Sequence, residues 1–464
     1  MKRMILILSG ISLLASCNKF NDDINRDTNN PSSATNMQLI NNASLYLPGL
    51  SSAPQGEFNA QFLSEAQYPN LSLYTQENYD FTGYYTGPLM NLEEVLKNNT
   101  DNTEWPVNNQ LAIAKILKAY FFWHITDRWG DVPFDQALQG SAGFSPPYDT
   151  QESIYEKIFA LLGEANTMIN GADIANDIIY DGKMAKWKKL ANTIHLLAAL
   201  RLSQVDPAKA QAEFNTALTA GVLQSNDDNL VFRHRNEEAN WNFWYDQIEN
   251  QGRFWWALSD KLVANMKPYD DPRLKVYGNK NTVGDYVGLE YGTLDPDSED
   301  PSLLGDAIWK ADAPVYLVTY AQVLFAKAEA AKRGWIPGGD VEAKSNYDLA
   351  IEQSLRQWTG STSGLATLMA HPEIAYSSAE GLQKIATQRW VHLFMHGYEA
   401  WAEWRRTGFP ALSPPAGAPA TQVPTRQAYP VSEEFNNKTN YLEAIQRQFN
   451  GTNTMYGKIW WDKP

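Results

Sequence analysis

A chain of 464 residues with 53 acidic and 38 basic side chains carries a formal net charge of −15, a sign that repels phosphate backbones and excludes a nucleic-acid binder. It also argues against electrostatic docking on anionic lipid. One cysteine among 464 residues excludes an internal disulfide.

The first predicted element is an export leader. Lys2 and Arg3 precede an apolar run from Met4 to Leu14, too short to span a bilayer, and Leu14-Ala15-Ser16-Cys17 follows as a lipobox. Residues 1–16 are therefore expected to be a signal peptide and Cys17 the lipid-bearing residue. Loss of Lys2 and Arg3 makes the mature chain more acidic still. Residues 17–36 read as a lipidated tether, polar and aperiodic, and residues 37–464 as a single helical domain. No later run is long and apolar enough to cross a membrane, so the acyl group is the expected anchor.

Beyond the tether, apolar residues recur at spacings of three and four. Ile113, Ile116, Leu117, Tyr120 and Phe121 predict a helix from about Val107 to Thr126, interrupted only by Lys115 and Lys118. Ile154, Ile158, Leu161, Leu162, Ala165 and Met168 make a second amphipathic face. Helices over Met184–Ser203 and Pro207–Ala220 follow, the second with Asp206 as N-cap and Gly221 as its stop. Further on, Val315–Arg333 and Val341–Trp358 read as helices, and Ala379–Arg406 as one long final helical stretch.

Two consecutive pairs look alike. Leu190, Ile194, Leu197 and Ala198 precede Ala210, Phe214, Ala217 and Leu218, while Leu324, Ala328 and Ala331 precede Ala343, Tyr347, Ile351 and Leu355. In each, small residues on one helix meet an aromatic midpoint on the next, the logic of a tetratricopeptide-like hairpin. The expected fold class is all-α, with helical hairpins forming a scaffold for a loop-rich, irregular binding face. Residues 54–104, 222–312 and 407–440 are too long for ordinary connections, and long loops on a rigid scaffold usually carry function. Alternation in Asp227–Phe232 and Tyr286–Tyr291 allows short hairpins at most.

His392 and His396 stand four apart with Glu399 and Glu403 on the same expected face, a spacing at which they could reach one metal ion. Leu393 stands where a zinc hydrolase keeps its general-base glutamate. Hydrogen-bonded packing is the preferred reading, and no metal or other cofactor is assigned. Asp295, Asp297, Glu299 and Asp300 offer oxygen ligands without the glycine and terminal glutamate of an EF-hand. A solvated acidic loop is the reading there, and calcium the alternative. No nucleophile elbow or phosphate-binding loop occurs.

The chain holds 16 Trp, 23 Tyr and 18 Phe, and rings on loops can stack on the apolar faces of sugars. One cluster is Tyr68, Tyr74, Tyr79, Phe81, Tyr84 and Tyr85. The other is Trp241, Phe243, Trp244 and Tyr245, followed by Trp255 and Trp256. Tyr74, Tyr79, Tyr84, Trp241, Trp244 and Tyr245 are the candidate ligand-binding residues. The competing reading is that these rings pack the loops onto the helices.

Thr126-Asp127-Arg128-Trp129-Gly130-Asp131-Val132-Pro133-Phe134 resembles the T-D-x-W/F-G-D-V-P-Y segment of the SusD/RagB-type nutrient-binding outer-membrane lipoprotein family. Lys186-Trp187-Lys188-Lys189-Leu190-Ala191-Asn192, Asp271-Pro272-Arg273-Leu274, Trp404-Arg405-Arg406-Thr407-Gly408 and Lys458-Ile459-Trp460-Trp461-Asp462 also resemble it, in family order, in the branch distinct from the original starch-binding member. The resemblance implies a lipid-anchored, surface-exposed outer-membrane protein without catalytic residues. It implies a SusC-like TonB-dependent transporter as partner, capped by this chain, with oligosaccharides as ligands and peptides in some branches. The alternative, from an acidic, aromatic-rich, helical chain alone, is an all-helical glycoside hydrolase lipoprotein; a purely structural lipoprotein is a third reading.

Overall fold

The computed structural model describes residues 34–463, apart from residues 101, 103, 141, 142, 297, 298 and 417–420. The expected signal peptide, Cys17 and the tether as far as residue 33 lie outside the described residues. Helix α1 (Asn36–Ser44) opens with a capping box, in which Thr35 and Gln38 satisfy each other's free backbone N–H groups. The other helices that matter here are α2 (Pro54–Asn59), α3 (Met90–Lys97), α4 (Val107–Trp129), α5 (Gln151–Met168), α6 (Met184–Arg201), α7 (Pro207–Ala220), α8 (Tyr320–Lys332), α9 (Gly339–Thr359), α10 (Gly381–His392), α11 (Gly397–Thr407) and α12 (Lys438–Phe449).

The fold is all-α, built from antiparallel helical pairs α4/α5, α6/α7 and α8/α9. Helix α4 is buried on nearly every side. The two lysines that interrupt its apolar run lie at its edge, where Lys115 reaches Glu164 at 2.6 Å and Lys118 reaches Glu93 at 2.7 Å. Helix α7 begins and ends where its cap residues place it, since Asp206 accepts the N–H of Lys209 at 3.0 Å and Gly221 takes φ +95°. At the end of α4, Gly130 turns the chain at φ +90°. That backbone conformation favours glycine, and a Cβ there would also displace the end of the Gln448 side chain, whose Oε1 would lie 2.3 Å away.

Four expectations are corrected. Residues 315–318 are strand rather than helix, because Thr319, capped against Gln322, starts α8 only at Tyr320. The stretch 379–406 is two helices, α10 and α11, broken at residues 393–396. The break follows from a close approach: a Cβ on Gly397 would lie 2.1 Å from the backbone of Gly56, and the Glu57 carboxylate accepts the N–H groups of Met395 and Gly397 at 3.2 and 2.8 Å. The long connections are not all loop, since 54–104 contains α2 and α3, and α12 lies beyond the expected last helix.

The short strands do not form hairpins between neighbours. Strand β1 (Leu63–Glu65) pairs with β3 (Trp256–Leu258), and β2 (Leu230–Arg233) pairs with β4 (Pro314–Val318), both antiparallel and both across long chain separations. Residues 286–291 supply only an isolated bridge from Leu289 to Ser259.

At the centre, Arg201 at the end of α6 pairs with Asp127 at 3.1 Å, Glu399 at 2.6 Å and Glu403 at 2.5 Å. Arg389 also reaches Glu403 at 3.0 Å, and Arg406 joins Glu403 to Glu329 at 2.6 Å each. All of these side chains are buried. Arg201→Leu should remove the guanidinium that three buried carboxylates share and lower the unfolding free energy by about 3–5 kcal/mol. Urea denaturation followed by circular dichroism measures this, and a loss under about 1 kcal/mol would show that the network is not a structural requirement.

Candidate functional site

The β1–β3 pair brings the two aromatic-rich loops together. Ser64 stands opposite Ala257 and Glu65 opposite Trp256, and the N–H of Ala66 donates to the Trp255 carbonyl at 2.7 Å. Tyr68 therefore arrives beside Trp255, their rings edge to face with centroids 5.0 Å apart. The Arg253 guanidinium lies 5.1 Å from the centre of the Trp255 ring. Side chains alternate along an extended segment, so Phe254 and Trp256 point the other way. There Phe254 meets Trp309 edge to face at 6.5 Å, while Trp256 is buried against Trp244 at 5.1 Å.

Phe254 and Trp309 are two walls of an open cleft of about 340 Å³. Its other side is polar. Asn279 donates to Asp306 at 2.6 Å, Thr282 donates to Asp300 at 2.5 Å, and Asn281 donates to the Asp300 carbonyl at 3.0 Å. Lys280 is the cation of the lining, with Asp300 and Asp306 as its anions. An apolar corner facing amides, a hydroxyl and carboxylates suits a ligand that has flat C–H faces and hydroxyl edges.

The six candidate rings lie in different settings. Trp244 is fully buried, its Nε1 donating to Ser52 Oγ at 2.8 Å, and Tyr74 is 5% exposed, its hydroxyl accepting from Gln61 at 3.1 Å. Both are core in this structure and show a ligand no face. Tyr79 is half-buried, its carbonyl accepting from Trp129 at 3.2 Å. Tyr84 is half-buried as well, its hydroxyl accepting from Arg128 at 2.9 Å. Trp241 and Tyr245 form a half-buried edge-to-face pair at 5.1 Å, and the Trp241 Nε1 has no hydrogen-bond partner among the described residues. Of the two loop clusters, the members that meet are Tyr68 and Trp255. Phe254 and Trp309 were not singled out in the sequence. The alternation within Arg253-Phe254-Trp255-Trp256 is the signal that could have found Phe254.

The histidine and glutamate row is structural. His392 lies within hydrogen-bond distance of Thr319 Oγ1 at 2.8 Å and Ser354 Oγ at 2.9 Å, and His396 stacks on His124 with centroids 5.6 Å apart. Glu399 and Glu403 belong to the central arginine network. No group of three or more potential ligands placed to hold a metal occurs among the described residues. In the acidic loop, Asp297 lies outside the described residues and Asp300 is part of the cleft wall. Arg405 and Arg406 are both buried: Arg405 stacks 3.9 Å from the Trp401 ring centre and donates to the Asp127 carbonyl at the end of α4 at 2.9 Å, and Arg406 pairs with glutamates.

Residues 28–430 match the family described as SusD-like, starch-binding and associating with the outer membrane. The chain belongs to the SusD-like family. Solved structures with this architecture include a chitin-binding protein, 28% identical, with a TM-score of 0.79 over 92% of this chain and 98% of that one. A SusD homologue from Bacteroides fragilis is 26% identical, with a TM-score of 0.80 over 93% of this chain and all of that one. A chitin-binding SusD homologue from Flavobacterium johnsoniae is 24% identical, with a TM-score of 0.76 over 92% and 96% of the two chains. No curated protein matches the sequence. SusD-like proteins are outer-membrane-associated carbohydrate binders, and this chain is a binding protein rather than an enzyme. Among the described residues no helix is long and apolar enough to cross a membrane.

Below the Tyr68–Trp255 pair, Glu65 accepts the N–H groups of Leu71 at 2.7 Å and Ser72 at 3.4 Å, and so holds the loop that carries Tyr68. Burial pushes its carboxyl up from 4.5 to about 7, against the pull of those two N–H groups. The stability contributed by a raised carboxyl is complete below its unfolded pKa and is lost as pH rises through the folded one. Glu65→Gln cannot titrate. Between about pH 5 and pH 8, its unfolding free energy should therefore rise relative to that of the wild type. Paired denaturation curves across that range check this, and a pH-independent difference would rule out the buried titration.

Proposed function

We propose that this SusD-like protein captures uncharged oligosaccharides in the Phe254–Trp309 cleft and passes them to a SusC-like TonB-dependent transporter. The observation that carries the reading is the corner made by these two rings opposite Asn279, Asn281 and Thr282. A sugar ring laid on either aromatic face buries its C–H groups while its hydroxyls meet the polar wall. The charges select against acidic glycans, since Asp300 and Asp306 outnumber Lys280 in the lining. Tyr68 and Trp255, on the other side of the same segment, offer a second surface for a longer chain. Of the sequence candidates, Tyr79, Tyr84, Trp241 and Tyr245 keep partial exposure and are assigned to outer contacts. Tyr74 and Trp244 serve by holding the loops in place. Attachment through Cys17 and the tether that follows it keeps the binder at the cell surface and close to its transporter, which raises the effective concentration of the pair.

The chitin-binding neighbour makes chito-oligosaccharides the first ligand to titrate. Phe254→Ala and Trp309→Ala should each weaken binding by about 1–3 kcal/mol, as for other stacked ring contacts. Isothermal titration calorimetry reads the loss. If both variants fold and bind like the wild type, the cleft is not the site. New reducing ends appearing during incubation would overturn the binding-only role.

Membrane attachment has its own test. Cys17→Ala should move the protein from the membrane fraction to the wash fraction without changing its melting temperature. Retention of the variant on membranes after a high-salt wash would contradict a lipid-only anchor.

A further inference from the structure

We infer that an apolar groove rimmed by Phe144 and Phe435, remote in sequence from the glycan cleft, seats a protruding loop of the transporter. That loop carries large apolar side chains with a lysine or arginine beside them. The inference rests on the reading above that a transporter is the partner, and it names where and by what chemistry the two meet.

The groove has a volume of about 350 Å³ and is built from segments 81–90, 133–140, 143–146 and 433–437. Phe81, Tyr85, Met90, Pro133 and Leu138 give it an apolar lining. Its walls are fastened to one another. Tyr85 donates to the Pro133 carbonyl at 2.7 Å, Ser145 to the Asn436 carbonyl at 3.0 Å, and Asn437 to the Pro146 carbonyl at 2.8 Å. Tyr148 donates to the Glu433 carboxylate at 2.5 Å. These cross-links between distant segments keep the groove formed in the free protein, and a pre-formed site needs little ordering when it binds.

Phe144 of the lining is 81% exposed, and Phe435, next in sequence to the lining residue Asn436, is 79% exposed. Val431 is exposed nearby. Large rings left in water beside an apolar groove mark a protein contact. Charge settles the kind of protein segment. Glu433 is the charged residue of the lining, Glu434 stands exposed next to it, and among the described residues no lysine or arginine lines the groove. Docking on a chain of net charge −15 then favours apolar anchors with basic flanks.

The test uses full-length lipidated protein in native membranes. A photo-crosslinking residue at Gln139, in the groove lining, should join the protein to the barrel, and the joined peptide should hold an apolar residue within a few positions of Lys or Arg. Phe144→Asp/Phe435→Asp should cut co-purified transporter at least about tenfold while chito-oligosaccharide affinity stays unchanged, which also reports that the variant folds. Undiminished co-purification with the double variant overturns the groove assignment and leaves the partnership standing. If wild-type protein brings down no barrel, the partnership itself fails and the groove assignment falls with it. Cross-links confined to a second copy of this chain or to lipid also overturn the assignment.

Discussion

Arg201, Arg389 and Arg406 face Asp127, Glu399, Glu403 and Glu329 in a space that water does not reach. Each charge alone would be costly there, and the arrangement persists because every carboxylate meets a guanidinium and further donors. Asp127 also accepts from the Tyr155 hydroxyl at 2.5 Å and the Trp461 indole at 2.7 Å. Arg333 also reaches Glu329 at 2.8 Å, and the acids of the network differ in how firmly they hold a proton. Burial, with Glu403 adding to it, raises the Glu399 carboxyl to about 7 despite Arg201. Glu403, surrounded by Arg389, Arg406 and Arg201, is held far below the usual carboxylate range. The network ties α4, α6, α8, α10 and α11 to the C-terminal Trp461, so these elements cannot slide past one another without separating charges in a dry interior.

From this network a continuous path of contacts reaches the Phe254–Trp309 cleft. Helix α11 carries Glu399 and Glu403 inward, and its first residue, Gly397, lies against Gly56 of α2. Buried Glu57 fastens that contact through the N–H groups of Met395 and Gly397. Helix α2 leads directly into β1 by way of Gln61, whose carbonyl accepts from Ser259 at 2.5 Å. Strand β1 then fixes β3, and β3 fixes Phe254 and Trp255. Cleft rings on loops are thus positioned by a rigid interior a few residues away.

Helices were legible in the sequence where local chemistry decides them. Helix α7 runs as its Asp206 cap, Pro207 and Gly221 dictate, because these residues act within one turn. The break between α10 and α11 was not legible, since it depends on Glu57 and Gly56, more than 300 residues away. Residues 315–318 became strand for a similar reason, through pairing with β2. The aromatic candidates show the limit of composition. Trp244 and Trp255 are both tryptophans in a loop-rich stretch, yet one is buried against Ser52 and Trp256 and the other packs at the surface with Tyr68. Loop sequences lack the periodicity that assigns a side to each residue. Trp309 stands outside both clusters, so density of rings could not flag it.

Pairing of the exposed rings has a consequence for binding. An isolated surface tryptophan samples several rotamers, and a ligand that stacks on it must order the side chain. Phe254 and Trp309 hold each other edge to face, and the Trp309 indole donates to the Leu304 carbonyl at 3.3 Å. On the opposite wall, the Asn279 amide is already oriented by Asp306, and Asp300 fixes Thr282. An amide nitrogen has two protons, so Asn281, which donates to the Asp300 carbonyl, keeps donor capacity beyond that bond. Both walls are therefore ordered before a ligand arrives, and hydroxyls add to existing hydrogen bonds rather than replacing them. For the proposed oligosaccharide, affinity then depends on the number of sugar faces that reach a ring, which is a property of the loops and can change without disturbing the arginine network beneath.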